Sequence, residues 1–218
     1  MWHEFLKTVL MIVAGLFPII NPPAAGFIAL GITPDADEAE RAVLARCIAF
    51  NSLVLLTLSL LLGAYVLAFF GISQPALRLA GGVIVAMAGW RLLQQGDDTA
   101  CHSHDQQHLR SLRLRAFYPL TLPLTVGPGA IAVAIALGTS SPSEGPLPVH
   151  VAGVAAGLLV LGASIYLCIR FAGGAERILG EVGMQVLMRL FAFIIFCIGI
   201  QMSWAGLQGM LETLLAAK

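Results

Sequence analysis

The chain has 218 residues, 58% of them hydrophobic and 11% charged, with a formal net charge of zero. Soluble domains carry roughly 25% charged residues, so this composition excludes a water-exposed globule and places the chain in lipid. A balanced charge offers nucleic acid no footprint, and four scattered cysteines offer no disulfide framework.

Apolar stretches long enough to cross a bilayer fall near residues 5–31, 43–70, 76–94, 114–138, 148–172 and 185–211. The expected fold is therefore an all-α membrane protein of six transmembrane helices. Lys7 followed by the apolar run to Ile20 has the look of a signal peptide. The segment recurs inside the chain, however, where no signal peptide sits, so a span is the better reading.

The recurrence is specific. Phe17-Pro18 leads through Asn21-Pro22-Pro23 to Ile28-Ala29-Leu30-Gly31. Tyr118-Pro119 leads through Gly127-Pro128-Gly129 to Ile135-Ala136-Leu137-Gly138. Leu77-Arg78-Leu79 at the start of helix 3 is matched by Met188-Arg189-Leu190 at the start of helix 6. The chain thus divides into a three-helix repeat over 1–95, a polar loop over 96–113 and a second three-helix repeat over 114–218. Three is an odd number, so the second copy enters the membrane from the opposite side and the repeats are inverted. Arg41, Arg46, Arg91, Arg110, Arg113, Arg115, Arg170 and Arg177 all fall on one side, with Arg189 nearby; Lys7, Arg78 and Lys218 fall on the other. The positive side is cytoplasmic, which puts both termini outside.

Helices 1 and 4 are expected to be broken. Asn21 is a good N-cap, and Pro22 suits the first helical position. Pro128 plays the same part after Gly127, and Gly129 lets a ligand approach the backbone closely. Each restart presents unpaired N–H groups and a partial positive charge, and each stop presents unpaired carbonyls. The second break keeps the amides of Gly129, Ala130 and Ile131 for an anion such as a carboxylate. The first offers carbonyls near Pro18 to Ile20 and the Asn21 amide oxygen to an ammonium. The two poles fit a small zwitterion, and the expected substrate-binding residues are Asn21, Pro22, Ala24, Thr125, Gly127, Pro128, Gly129 and Ala130.

No Asp or Glu lies inside a predicted span, so a coupling ion would rely on carbonyls and on hydroxyls such as Thr121, Thr125 or Ser203. Asn51, Ser52, Ser164 and Gln201 are further polar residues within the spans, each as suited to an interhelical hydrogen bond as to a site. Arg78 and Arg189 suit snorkelling to headgroups, with a gate or repeat-interface role as the alternative their equivalence raises. The Cys101-His102-Ser103-His104-Asp105-Gln106-Gln107-His108 run has metal-ligand chemistry in a spacing of no standard module, and reads as a solvated loop. No metal or cofactor is expected. An intramembrane enzyme is disfavoured too, because the spans hold no His beyond His150 at the start of the fifth and no nucleophile has an evident base.

On Asn21-Pro22, on the stretch from Pro119 to Ile131, and on Phe70-Gly71-Ile72-Ser73 with Ala76 to Gly82, the chain resembles the MarC family of bacterial inner-membrane proteins. The resemblance covers nearly the whole length. It implies a bacterial inner-membrane location and kinship with small amino-acid transporters and exporters of the LysE type. It also implies transport of neutral amino acids such as glycine and alanine, driven by an ion, Na+ or H+. The chain departs from the family pattern where Ala24 replaces Gly and Phe27 replaces Pro. Ala192 and Phe193 also stand where the first repeat has Gly81 and Gly82, so the repeats should pack differently. The expected function is a secondary transporter with a small-molecule substrate in a lipid bilayer. A permease or exporter of another small solute and an accessory membrane subunit are the alternatives, and a homo-oligomer is among the open assembly states.

Overall fold

The computed structural model describes residues 2–33, 36–94, 116–139 and 147–216. Among the described residues there is no strand; every regular element is helical. α1 (Trp2–Ile20) and α2 (Pro22–Ile32) form one apolar span with a break at Asn21. α3 (Glu38–Phe70) and α4 (Gln74–Gln94) are joined by a short turn at Gly71. A π-helical segment (Ala116–Thr125) is followed by α5 (Pro128–Thr139). The helical stretch Leu147–Ala216 is interrupted at Gly180 (φ 67°, ψ 174°); its two spans are α6 (Pro148–Gly174) and α7 (Gln185–Leu215).

Local chemistry sets these boundaries. Asp37 Oδ1 accepts from the Glu40 amide at 2.7 Å, and Glu40 Oε2 accepts from the Asp37 amide at 3.1 Å. This capping box starts α3 at Glu38, more than a turn before its apolar run, which is why hydropathy alone places the start near residue 43. α3 ends on Gly71 in the left-handed region, where the Ile72 amide returns to the Leu67 carbonyl at 2.9 Å. Ser73 Oγ then accepts from the Ala76 amide at 3.4 Å and opens α4.

Among the described residues five helices are long and apolar enough to cross a membrane: Trp2–Leu30, Glu38–Phe70, Gln74–Gln94, Pro148–Gly174 and Gln185–Leu215. Pro128–Gly138 is a shorter apolar helix. Their outward faces carry large apolar side chains, among them Leu10, Phe50, Leu61, Met87, Leu159 and Trp204. Contiguous exposed apolar surface of this kind suits lipid, not water. Their inward faces carry small residues, so backbones meet closely. Gly153 and Gly157 of α6 lie against Thr8 and Ile12 of α1. α4 and α7 run antiparallel: Pro75 meets Gly209, Leu79 meets Gly206, Gly82 meets Ser203, and Gly89 meets Phe196. Ala192 is buried in this seam while Phe193 is exposed.

Candidate functional site at the two helix breaks

The first break is a sharp turn in an otherwise bonded helix. The Asn21 amide donates to the Phe17 carbonyl at 2.9 Å, and the Asn21 carbonyl accepts from Ala25 at 3.0 Å. Pro22 and Pro23 have no N–H, so the carbonyls of Pro18 and Ile19 lack a donor four residues on. Pro22 also disfavours the helical conformation at the residue before it. Asn21 adopts φ 45°, ψ 67°, and among the described residues no other non-glycine has a positive φ. Its Oδ1 accepts a long, 3.4 Å bond from the Ala24 amide. Asn and Gly tolerate the left-handed region, whereas a β-branched residue there is strained by about 1–3 kcal/mol. Asn21→Gly is therefore expected to keep the wild-type unfolding midpoint to within a few degrees, and Asn21→Val to lower it clearly; thermal unfolding of the purified variants checks this.

The second break has a different construction. Prolines at 119 and 123 remove two amides, and the chain takes the wider i to i+5 register over Ala116–Thr125. The Val126 amide donates to the Thr121 carbonyl at 2.9 Å, and Thr125 Oγ1 donates to the Leu120 carbonyl at 2.8 Å. A proline count in the sequence points to a break here but not to a π register. After Val126 and Gly127 the chain restarts at Pro128, with the Ile131 amide on the Gly127 carbonyl at 3.1 Å. The Gly129 and Ala130 amides, in the first turn of α5, have no acceptor within that helix.

Each half of one interrupted helix touches the opposite half of the other: α1 packs on α5, and α2 packs on the π segment. Ile20, Leu120, Val126 and Ala130, which flank the two breaks, belong to one buried apolar cluster. Of the residues expected at a site, Asn21, Pro22, Ala24, Thr125, Gly129 and Ala130 are buried, Gly127 is half-buried and Pro128 is exposed. Gly129 has a packing duty that the sequence does not disclose. A Cβ there would meet Val85 Cγ2 and lie 3.5 Å from the Gly81 carbonyl oxygen, so its missing side chain admits α4. Substitution at Gly129 consequently reports on helix packing as much as on ligand approach.

Arg78 and Arg189 are not brought together. They sit at opposite ends of the antiparallel α4/α7 pair, Arg78 half-buried and Arg189 exposed. Gln201 lies on the exposed face of α7 and Asn51 is half-buried. Ser203 Oγ donates to the Gly199 carbonyl at 2.9 Å, within its own helix. The run from Cys101 to His108 lies outside the described residues; among the described residues no cluster of His, Cys, Asp or Glu is arranged to hold a metal. Ser52, which the motifs alone do not single out, is fully buried on α3 and its hydroxyl has no hydrogen-bond partner.

Apolar spans, a lipid-facing exterior and small-residue seams define a multi-pass helical membrane protein. The sequence signature of the MarC family, described as MarC family integral membrane protein, matches residues 6–211, and the chain belongs to that family. The inner membrane protein MarC of Salmonella paratyphi A is 32% identical over 209 residues, covering 91% of this chain and 93% of that protein. The inner membrane proteins MarC of Citrobacter koseri and Escherichia coli O139:H28 are each 30% identical over 206 residues, with the same coverage. No solved structure matches the chain significantly. Family, relatives and spans together make it a multi-pass protein of the inner membrane.

Proposed function

We propose that this protein is a secondary transporter of small neutral amino acids of glycine or alanine size, coupled to an ion and working by alternating access. The observation that carries the reading is the crosswise contact of two interrupted helices, with polar backbone groups turned loose at both interruptions. In hydrocarbon an unpaired backbone group costs several kcal/mol, and such breaks persist where they line a cavity or bind a ligand. The Gly129 and Ala130 amides suit a carboxylate, the Pro18 and Ile19 carbonyls suit an ammonium, and Ala24 and Ala130 leave room for a small side chain only.

The π segment and α5 together serve as a sixth, broken span in this reading, equivalent to α1 and α2. Packing correspondences between the halves support an inverted repeat. Gly138 of α5 lies against Leu60 of α3, and Gly26 of α2 lies against Cys168 of α6. The pairing of α4 with α7 joins equivalent helices of the two halves. The arginine distribution then places both termini on the periplasmic side. The protein is not an enzyme in this reading and needs no cofactor beyond Na+ or H+ as coupling ion; its partners are the solute, the bilayer and, in a homo-oligomer, further copies of itself. Export or facilitated passage of another small solute, or service as an accessory subunit, is the competing assignment.

Reconstitution of the pure protein in liposomes tests this directly. Counterflow of labelled glycine or alanine, with accumulation that follows an imposed sodium or proton gradient, is the expected result. Folded protein without counterflow of either would remove the amino-acid reading.

A further inference from the structure

Hydroxyls inside apolar helices commonly donate to a carbonyl of the preceding turn, and several here do so. Thr57 donates to Leu53 at 2.7 Å, Ser59 to Leu55 at 2.8 Å and Ser203 to Gly199 at 2.9 Å. Ser52 does not. It is 0% exposed and its Oγ has no partner, the carbonyls of its own preceding turn included. A buried hydroxyl left unpaired in one state of a protein calls for a partner that arrives in another.

The surroundings of Ser52 indicate which partner. Ile48 and Leu56, one turn to either side of it on α3, belong to the same buried cluster as Leu120, Val126 and Ala130 at the second break. Farther along the same stripe of α3, Leu60 and Gly63 pack on Gly138 and Ile135 of α5, and α3 packs directly on the π segment as well. Prolines in and just after that segment remove amide donors from it. Thr125 spends its hydrogen on the Leu120 carbonyl, which leaves its lone pairs available. Pro128 has no N–H to return to the carbonyl of either Pro123 or Leu124. Uncharged oxygens gathered in a low-dielectric layer, without a carboxylate, suit a small dehydrated cation.

We infer that Ser52 Oγ and the uncharged oxygens of the second helix break form a site for a small cation, either Na+ or the ammonium group of the solute. The assignment rests on the transport reading and adds α3 to the two broken helices as a third contributor to the site.

The test uses the full chain, purified in a choline-based buffer, with thermal unfolding followed against sodium chloride and, separately, glycine. Wild type is compared with Ser52→Ala and Ser52→Thr. Deleting an unpaired hydroxyl should leave the ligand-free midpoint of Ser52→Ala equal to or above that of wild type. It should also raise the half-saturating concentration of the stabilising ligand by about tenfold or more. Ser52→Thr, which keeps the hydroxyl, should retain more of the response than Ser52→Ala. Loss of the sodium response names the coupling ion; loss of the glycine response in sodium-free buffer names the ammonium. A lowered ligand-free midpoint in Ser52→Ala would mean that the hydroxyl bridges helices, and would overturn the site. Unchanged half-saturation for both ligands, or a wild type that responds to neither, overturns it too. Sodium binding through Ser52 without glycine or alanine counterflow would remove the amino-acid reading and leave the site standing. Counterflow unaltered in Ser52→Ala would do the reverse.

Discussion

Replacing Pro22 and Pro23 together by alanine is expected to stabilise the protein and, on the transport reading, to cut amino-acid counterflow sharply. The two restored amides reach the carbonyls of Pro18 and Ile19, which now lack donors, and each such bond contributes about 0.5–1.5 kcal/mol. Asn21, freed from the proline after it, can leave φ 45° for the helical region, which relieves a further 1 kcal/mol or so. The span from Trp2 to Leu30 then becomes one continuous helix. A higher unfolding midpoint with counterflow reduced by about tenfold or more, equivalent to about 1.4 kcal/mol of lost interaction, is the expected pair of readings. Both arise from the same groups: a carbonyl bonded within its helix has nothing to offer a solute. If counterflow survives in the stabilised variant, the break is only a packing kink, and the site must lie elsewhere.

Five of the six expected spans and the break positions were legible in the sequence because each has a one-dimensional cause; the expected fourth span, 114–138, is instead a π segment and a short helix. Apolar runs of bilayer length mark the helices, and a proline removes a donor wherever it stands. Asn21 before Pro22 is read correctly as a cap for the same reason, although its left-handed backbone is not something the dipeptide declares. Other features depend on three-dimensional neighbours. Gly129 looks like a ligand contact in the sequence, but Val85 from α4 occupies the place its side chain would take. Pro128 belongs to the same motif and is exposed, because the helix it opens turns one side outward. The early start of α3 was written in Asp37 and Glu40, but a search for apolar length passes over a polar first turn. Ser52 shows the limit most clearly. Its residue type is unremarkable within a span; only its burial and its unpaired hydroxyl single it out.

The second large effect is expected at Gly199, in the seam between α4 and α7. A Cβ at that position would lie 2.6 Å from Ala86 Cα and 2.8 Å from Ala86 Cβ, so the obstacle includes the backbone of a helix and not only a side chain that can swing aside. Overpacking a well-filled interior costs about 1–3 kcal/mol, and the upper end applies where backbone must move. Gly199→Val should therefore lower the unfolding midpoint strongly and impair counterflow with it. Gly174→Val is the matched control: a Cβ there meets nothing within 4 Å, and a change of about 0.5 kcal/mol or less is expected. The contrast has a physical basis peculiar to lipid. Helices in a bilayer gain little from hiding apolar surface from one another, so close van der Waals contact supplies much of their attraction. Gly82, Gly89 and Gly206 make the same kind of contact along the seam, against Ser203, Phe196 and Leu79. Opening it at Gly199 loosens the whole row. A seam made mostly of small residues also interlocks few large side chains, Trp90 against Phe196 at 5.8 Å being one pair, and fewer interlocks ease the rocking of one half of a transporter against the other. Gly199→Val tests that idea as well: a variant that folds and keeps its midpoint but no longer exchanges solute would mean that the seam moves during transport, whereas joint loss of both would mean that it only holds the halves together.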